Sequence, residues 1–279
     1  PLAVFAPSIH QVRFIRDEDA RKRRMGYDHR RHAGNAGDVW KHLVLAEVAD
    51  RLFEAGVRVY VESHAGRPGY RLRPGGEWEG GIGRLWPIPV EMATHPYFQI
   101  LAALNPQGLE LYPGSASIVL YLARKRGFSL RAELWDTSPE VEAAWFSSRQ
   151  EGVRFHLGDG FSGAGRLPRE LKEPALLLVD PPWTDPRDAD LARGLISRAA
   201  EAGWVVLSWE AIDGSTRREA AFRRRGFDLL FEEAGLAGSG KGARMTLAWG
   251  DRHPYLIDDL IGELLGIEEE FPRMARRMS

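Results

Sequence analysis

Ala175-Leu176-Leu177-Leu178-Val179-Asp180-Pro181-Pro182-Trp183 is the stretch that decides the fold. Five apolar residues in a row are too few for a buried helix. They are apolar on both faces, as in a strand covered on either side by helices. The two prolines that follow remove ladder donors and end the strand. Outward from this point the same text repeats. Strands are expected at 57–61, at 130–134 running on to Asp136, at 153–157 and at 204–209. Helices are expected at 38–55, starting on Asp38 and stopping at Gly56, around Ile118 to Leu122, at 139–149 and at 188–202. Alternating strands and helices imply an α/β fold with a mostly parallel, twisted sheet and helices on both faces. Residues 227–231 and 245–249 read as two further strands joined only by a glycine-rich loop, which permits an antiparallel last strand. An amphipathic helix is expected at 255–267.

Composition narrows the class. Of 279 residues 44% are hydrophobic and 28% charged, which excludes a disordered, collagen-like or coiled-coil chain. The absence of cysteine excludes a disulfide framework, a thiolate zinc site and a cysteine nucleophile. The spacing of His29, His32, His42 and His64 matches no zinc pattern, so no metal site is expected. No apolar run reaches bilayer length and no secretion signal is legible, so a cytoplasmic protein without membrane association is expected. Net charge is −1, yet Arg21, Lys22, Arg23, Arg24, Arg30 and Arg31 cluster near the start. Such a run is either a solvated segment or a phosphate-contacting arm. The organisation expected is a basic arm at 1–26, a main domain at 27–250 and a helical extension at 251–279. A Gly-, Pro- and Trp-rich insertion occupies about 67–113 of the main domain.

Ligands of open α/β sheets bind beyond the carboxyl ends of the strands. Here those ends carry His64, Asp136, Asp159-Gly160 and Asp180-Pro181-Pro182-Trp183. Strand-end acids also cap the next helix, a reading that suits Asp136 ahead of Ser138-Pro139. The proline pair points further. Without amide donors the local carbonyls are left as acceptors. The Asp180 carboxylate and one such carbonyl can accept both hydrogens of an exocyclic amine, and Trp183 offers a face for a planar base. The competing reading is a proline-terminated strand with a core tryptophan.

Asp180-Pro181-Pro182-Trp183 resembles the Asp/Asn-Pro-Pro-aromatic motif of adenine-N6 methyltransferases. The stretch Tyr27-Asp28-His29-Arg30-Arg31-His32-Ala33-Gly34-Asn35-Ala36-Gly37-Asp38-Val39-Trp40-Lys41-His42 is similar to the start of the 23S ribosomal RNA adenine-N6 methyltransferase J family. The likeness continues through Ser63-His64-Ala65-Gly66, Tyr112-Pro113-Gly114-Ser115 and Asp159-Gly160-Phe161.

The resemblance implies a Rossmann-like class I methyltransferase fold with a small inserted subdomain, using S-adenosylmethionine on 23S ribosomal RNA that is protein-free or early in assembly. It implies that His42 and His64 contact the cofactor, that Ser115 lies near its methionine end and that Asp136 clasps the ribose hydroxyls. Asp159 and Gly160 would meet its adenine. Asp180 would touch the cofactor and position the target amine, with Pro181, Pro182 and Trp183 around the acceptor base. Tyr27 would contact RNA, while His29 and Lys41 would serve the active site. Two departures stand out: Trp183 replaces the tyrosine of close relatives, and Arg67-Pro68 replaces a small pair. The same chemistry on DNA adenine, tied to use of external DNA, stays open, as does a non-catalytic nucleic-acid-binding protein on this fold.

Overall fold

The structure is a computed structural model that describes residues 31–213, 223–238, 240–251 and 254–278. A helix, α1 (Ala36–Glu54), leads into β1 (Val59–Glu62). A short antiparallel pair follows, β2 (Gly69–Arg71) with β3 (Leu111–Pro113), and between them lies α2 (Pro96–Leu104). Then come α3 (Ser115–Lys125), β4 (Arg131–Asp136), α4 (Pro139–Ser148), β5 (Val153–Leu157), α5 (Gly160–Ala164), α6 (Leu167–Glu170) and β6 (Ala175–Val179). The chain continues through α7 (Asp188–Glu201), β7 (Val205–Ile212), β8 (Arg224–Leu230), β9 (Gly242–Ala248) and α8 (Pro254–Arg276).

Seven strands form one sheet in the order β5-β4-β1-β6-β7-β9-β8. The first five run parallel, and β9 is antiparallel to both of its neighbours. This is the Rossmann-like methyltransferase sheet that the sequence leads one to expect. Strand order reverses beside β1, because the chain steps outward to β4 and β5 and then returns to β6 on the other side. That reversal places the ligand crevice at the carboxyl ends of β1 and β6.

The two faces of β6 bury different partners. Leu176 and Leu178 join the layer of α1, α3 and α8, whereas Ala175, Leu177 and Val179 join that of α5 and α7. Each leucine removed from water contributes about 2 kcal/mol. Helix α1 is enclosed nearly all round, by β7 and β9, α2, α3 and α8. Its apolar residues run along most of its length. Its only buried charged or imidazole side chains, Asp38, Lys41 and His42, gather in the first two turns, over the carboxyl ends of the strands.

Several expected boundaries shift. Helix α1 begins two residues before Asp38, because Asn35 is the cap and accepts the Asp38 amide at 2.9 Å. Asp38 occupies the third helical position and reaches back to the Gly34 amide at 2.9 Å. Strands β8 and β9 each start three residues early: Arg224 and Arg225 pair through backbone with Ala248 and Leu247, and Gly242, Ala243 and Arg244 with Leu230, Leu229 and Asp228, whatever their polarity. The segment 67–113 contains β2, β3 and α2, and its Tyr70, Ile82, Leu85 and Tyr97 belong to the α1-side core. Among the described residues no helix is long and apolar enough to cross a membrane.

Candidate active site

Lys41 is the centre of the site. Its Nζ lies 2.8 Å from Asp180 Oδ2 and 2.8 Å from Asp38 Oδ1, with the lysine side chain only 8% exposed. Burial opposes the ammonium, but Asp180 and Asp38 outweigh it and hold the lysine pKa above its ordinary value. The same ammonium stands 5.8 Å from the centroid of Trp209 on β7. Two residues 139 apart in sequence, Lys41 and Asp180, thus meet because α1 begins directly over the end of β6.

Beyond β6 the proline pair turns the chain, with Pro181 buried and Pro182 exposed. Trp183 has φ 55, a left-handed conformation unusual for a tryptophan. Its indole N–H donates to the Trp209 carbonyl at 3.1 Å, which pins the ring beside Asp180. The ring is half-buried and packs in part against the α5 and α7 side of the sheet.

The turn after β1 is tied to both neighbouring strands: the Ser63 amide donates to Leu178 O at 3.1 Å and the Ala65 amide to Trp135 O at 2.8 Å. Gly66, at φ +58, gives its amide to Asp136 Oδ2 at 3.2 Å, and Asp136 Oδ1 accepts the Ser138 amide at 2.8 Å. Ser138, not Asp136, caps α4. A carboxylate offers about four lone-pair directions, so Asp136 retains acceptor capacity. His64 shares a 2.9 Å hydrogen bond with the Ser63 hydroxyl and sits edge-on to Phe161 at 4.8 Å. Burial pushes its imidazole pKa down, against the pull of Asp180 and Asp136. Asp159 caps α5, accepting from Phe161 N at 3.2 Å and Ser162 N at 3.1 Å. Arg67 and Pro68 lie against Gly114 at the head of α3, with Pro68 O accepting the Gly114 amide at 3.1 Å.

Two expected contacts take a particular form. Ser115 donates its hydroxyl to Glu62 Oε1, and Tyr60 donates to Glu62 Oε2 at 2.8 Å. His42 is buried, stacked on Tyr112 at 5.5 Å and hydrogen-bonded to its hydroxyl at 3.0 Å; Tyr112 in turn meets the Tyr97 hydroxyl at 2.9 Å. Glu62 is a site residue that sequence reasoning missed, although a glutamate closing the strand Val59-Tyr60-Val61-Glu62 was a signal. Asp38 and Trp209 were missed as site residues too. Tyr27 and His29 lie outside the described residues, as does the basic run 21–24.

Burial pushes the Glu62 carboxyl up to about 8, against the hydrogen bonds from Ser115 and Tyr60. The folded protein therefore holds a proton that the unfolded chain releases near 4.5. The resulting stability is complete below the unfolded value and is lost as pH rises through the folded one. Between about pH 5 and pH 8, wild type should lose about 3 kcal/mol relative to Glu62→Gln. Urea unfolding of both proteins across this range measures the gap, and a constant gap would refute a neutral Glu62.

Comparison with known proteins points to one family. A family model described as Ribosomal RNA large subunit methyltransferase D, RlmJ, matches residues 56–209. Ribosomal RNA large subunit methyltransferase J of Haemophilus influenzae is 32% identical over 192 residues, covering 64% of this chain and 66% of the relative. The Escherichia coli protein of the same name is 30% identical over 169 residues, covering 57% of this chain and 59% of its own. The chain thus spans 66% and 59% of the length of these two curated relatives. A crystal structure of a protein from Legionella pneumophila shares the fold, with TM-score 0.62 and 20% identity over 85% of this chain and 94% of that one. The family match alone takes in the turn after β1, the carboxyl ends of β4 and β5 and the whole Asp180-Pro181-Pro182-Trp183 segment, more than half of the 279 residues; the chain belongs to the RlmJ family of large-subunit ribosomal RNA methyltransferases.

Proposed function

We propose that this chain is a cytoplasmic, S-adenosylmethionine-dependent methyltransferase acting on N6 of an adenine in 23S ribosomal RNA. The observation that carries this reading is Asp180, paired to Lys41 at the end of β6 beside the pinned ring of Trp183. The strand ends fit the cofactor. Asp136 keeps acceptor capacity suited to a vicinal diol. Asp159 and Gly160 open the wall at the end of β5, and His64 and Ser115 flank the end of β1. His42 would join them from α1.

When bound, S-adenosylmethionine supplies an electrophilic methyl on a sulfonium. The protein's task is to hold the acceptor nitrogen in line with it. Trp183 stacks on an adenine that is single-stranded or flipped out of its helix. Asp180 and the Pro181 carbonyl accept the two N6 hydrogens, so the nitrogen lone pair is directed at the methyl carbon. Positive character gained by N6 during transfer would be stabilised by the Asp180 carboxylate. The surplus proton then leaves N6 by way of that carboxylate to solvent. In this reading Tyr27 and the basic residues ahead of it contact the RNA, while His29 serves the active site.

Transfer of labelled methyl to protein-free 23S ribosomal RNA lacking its modifications, to assembled subunits and to DNA tests the proposal. N6-methyladenosine from RNA alone is expected, with the protein-free form the better substrate. Methylated deoxyadenosine would move the substrate to DNA, and failure to bind the cofactor would leave a non-catalytic binding protein. Neutralising Arg21, Lys22, Arg23 and Arg24 should weaken RNA binding and flatten its salt dependence. Filter binding at several salt concentrations measures this, and an unchanged slope argues against an RNA-contacting arm.

A further inference from the structure

We infer that Asp38 is a positioning residue for methyl transfer: it fixes Lys41 and shares its charge, so that Asp180 remains a strong, correctly turned acceptor for the amine. The inference rests on the functional reading above. Lysine is a flexible four-carbon stem with a point charge at its end, and nothing in its own structure sets where the ammonium stands. Here Asp38 sits one turn earlier on α1, and its Oδ1 holds the ammonium at 2.8 Å from one side while Asp180 Oδ2 holds it at 2.8 Å from the other. Asp38 is itself clamped, since its Oδ2 accepts the Gly34 amide at 2.9 Å. That amide belongs to a segment fastened in turn: Ile82 N donates to Gly34 O at 2.9 Å, and Glu77 receives Asn35 Nδ2 at 2.9 Å and meets His32 Nδ1 at 2.6 Å. The lysine position is thereby referred to the rigid start of α1, not to the acceptor it serves.

The arrangement has a chemical consequence. Among the described residues, Lys41 is the one donor hydrogen-bonded to the Asp180 carboxylate, and it engages Oδ2. Oδ1 is left to face an incoming N–H. A lysine paired with Asp180 alone would bind it more tightly and draw off more of its negative charge. Divided between two carboxylates, the same ammonium orients Asp180 and leaves the trio with one net negative charge, which suits a nitrogen that becomes positive during transfer.

A purely structural role for Asp38, holding Gly34 at the start of α1, makes a different prediction. Asp38→Asn keeps an oxygen for the Gly34 amide and removes the charge. We expect kcat to fall about 10²-fold with KM for RNA unchanged. A double-mutant cycle on single-turnover methyl transfer then separates the roles. If Asp38 acts through Lys41, Asp38→Asn costs nothing further in a Lys41→Met background. Full additivity of the two losses, or a loss confined to KM, overturns the inference. Calorimetric binding of S-adenosylhomocysteine and the melting temperature of each variant accompany the rates. If Asp38→Asn melts too early to assay, Asp38→Ser, which also keeps an acceptor oxygen, enters the same cycle. A wild type that transfers no methyl to RNA defeats the functional reading itself, whereas an active wild type with additive losses defeats only the part given to Asp38.

Discussion

Asp180→Ala should lower methyl transfer about 10³-fold, as removal of one preorganised partner of the reacting group does. The substitution deletes both carboxylate oxygens, so N6 loses one of its two acceptors and the nitrogen is no longer aimed. The fold should survive the change. Removing one partner of a buried ion pair costs about 3–5 kcal/mol when it strands the other charge. Lys41 is not stranded here, because Asp38 still holds it at 2.8 Å. A loss of about 1–2 kcal/mol is the expectation, close to that of a single charged hydrogen bond. Asp136, His64 and Asp159 lie at other strand ends and keep their own partners, so S-adenosylhomocysteine should still bind. Rapid-quench single-turnover rates, a urea titration and calorimetry check the three parts. A folded, cofactor-binding variant that retains a tenth of the wild-type rate would remove Asp180 from the mechanism.

How far the sequence led differs between the fold and the site. Strands β5 and β6 were legible to the residue, because five consecutive strand-forming positions and a sharp stop leave one solution. The pair β2–β3 was not, since three residues each, one of them Pro113, give no period to read. Short α5, opening on Gly160 and containing Gly163, has almost no helix propensity and forms because Asp159 caps it. In the site, Asp180 announced itself through the two prolines. Lys41 did not: nothing in a helix-spaced run of residues says that one lysine will face a carboxylate from the opposite side of the chain, and only the family resemblance singled it out. Glu62, Asp38 and Trp209 became visible when the topology stacked the start of α1 over the ends of β1, β6 and β7. Side-chain chemistry in sequence names candidates, while the crossing of elements decides which of them meet.

Gly160→Ala should destabilise the protein by about 3 kcal/mol and weaken cofactor binding at least tenfold, as expected for overpacking at a rigid contact. Helix propensity alone predicts the opposite sign, since alanine exceeds glycine by about 1 kcal/mol inside a helix. The backbone of Gly160 is not left-handed, so strain in φ has no part in the effect. The obstacle is a neighbour: a Cβ on Gly160 would lie 1.7 Å from Ser63 O and 2.6 Å from Ser63 C. Those are main-chain atoms of the turn after β1, and that turn is hydrogen-bonded to Leu178 on β6 and to Trp135 on β4. It has no free direction in which to yield. The first turn of α5 therefore has to move away from β1, and with it Asp159, whose carboxylate caps that turn at the mouth of the crevice. Gly262 provides the matched control. It lies exposed within α8, and nothing stands within 4 Å of its prospective Cβ. Gly262→Ala should stabilise the chain by about 1 kcal/mol and leave cofactor binding untouched. Urea midpoints and S-adenosylhomocysteine affinities for the two variants distinguish crowding from propensity. Equal and positive shifts would mean that the approach of α5 to β1 is looser than 1.7 Å requires. Opposite shifts would tie the width of the crevice to the one position where the end of β1 and the start of α5 cross without room for a methyl group.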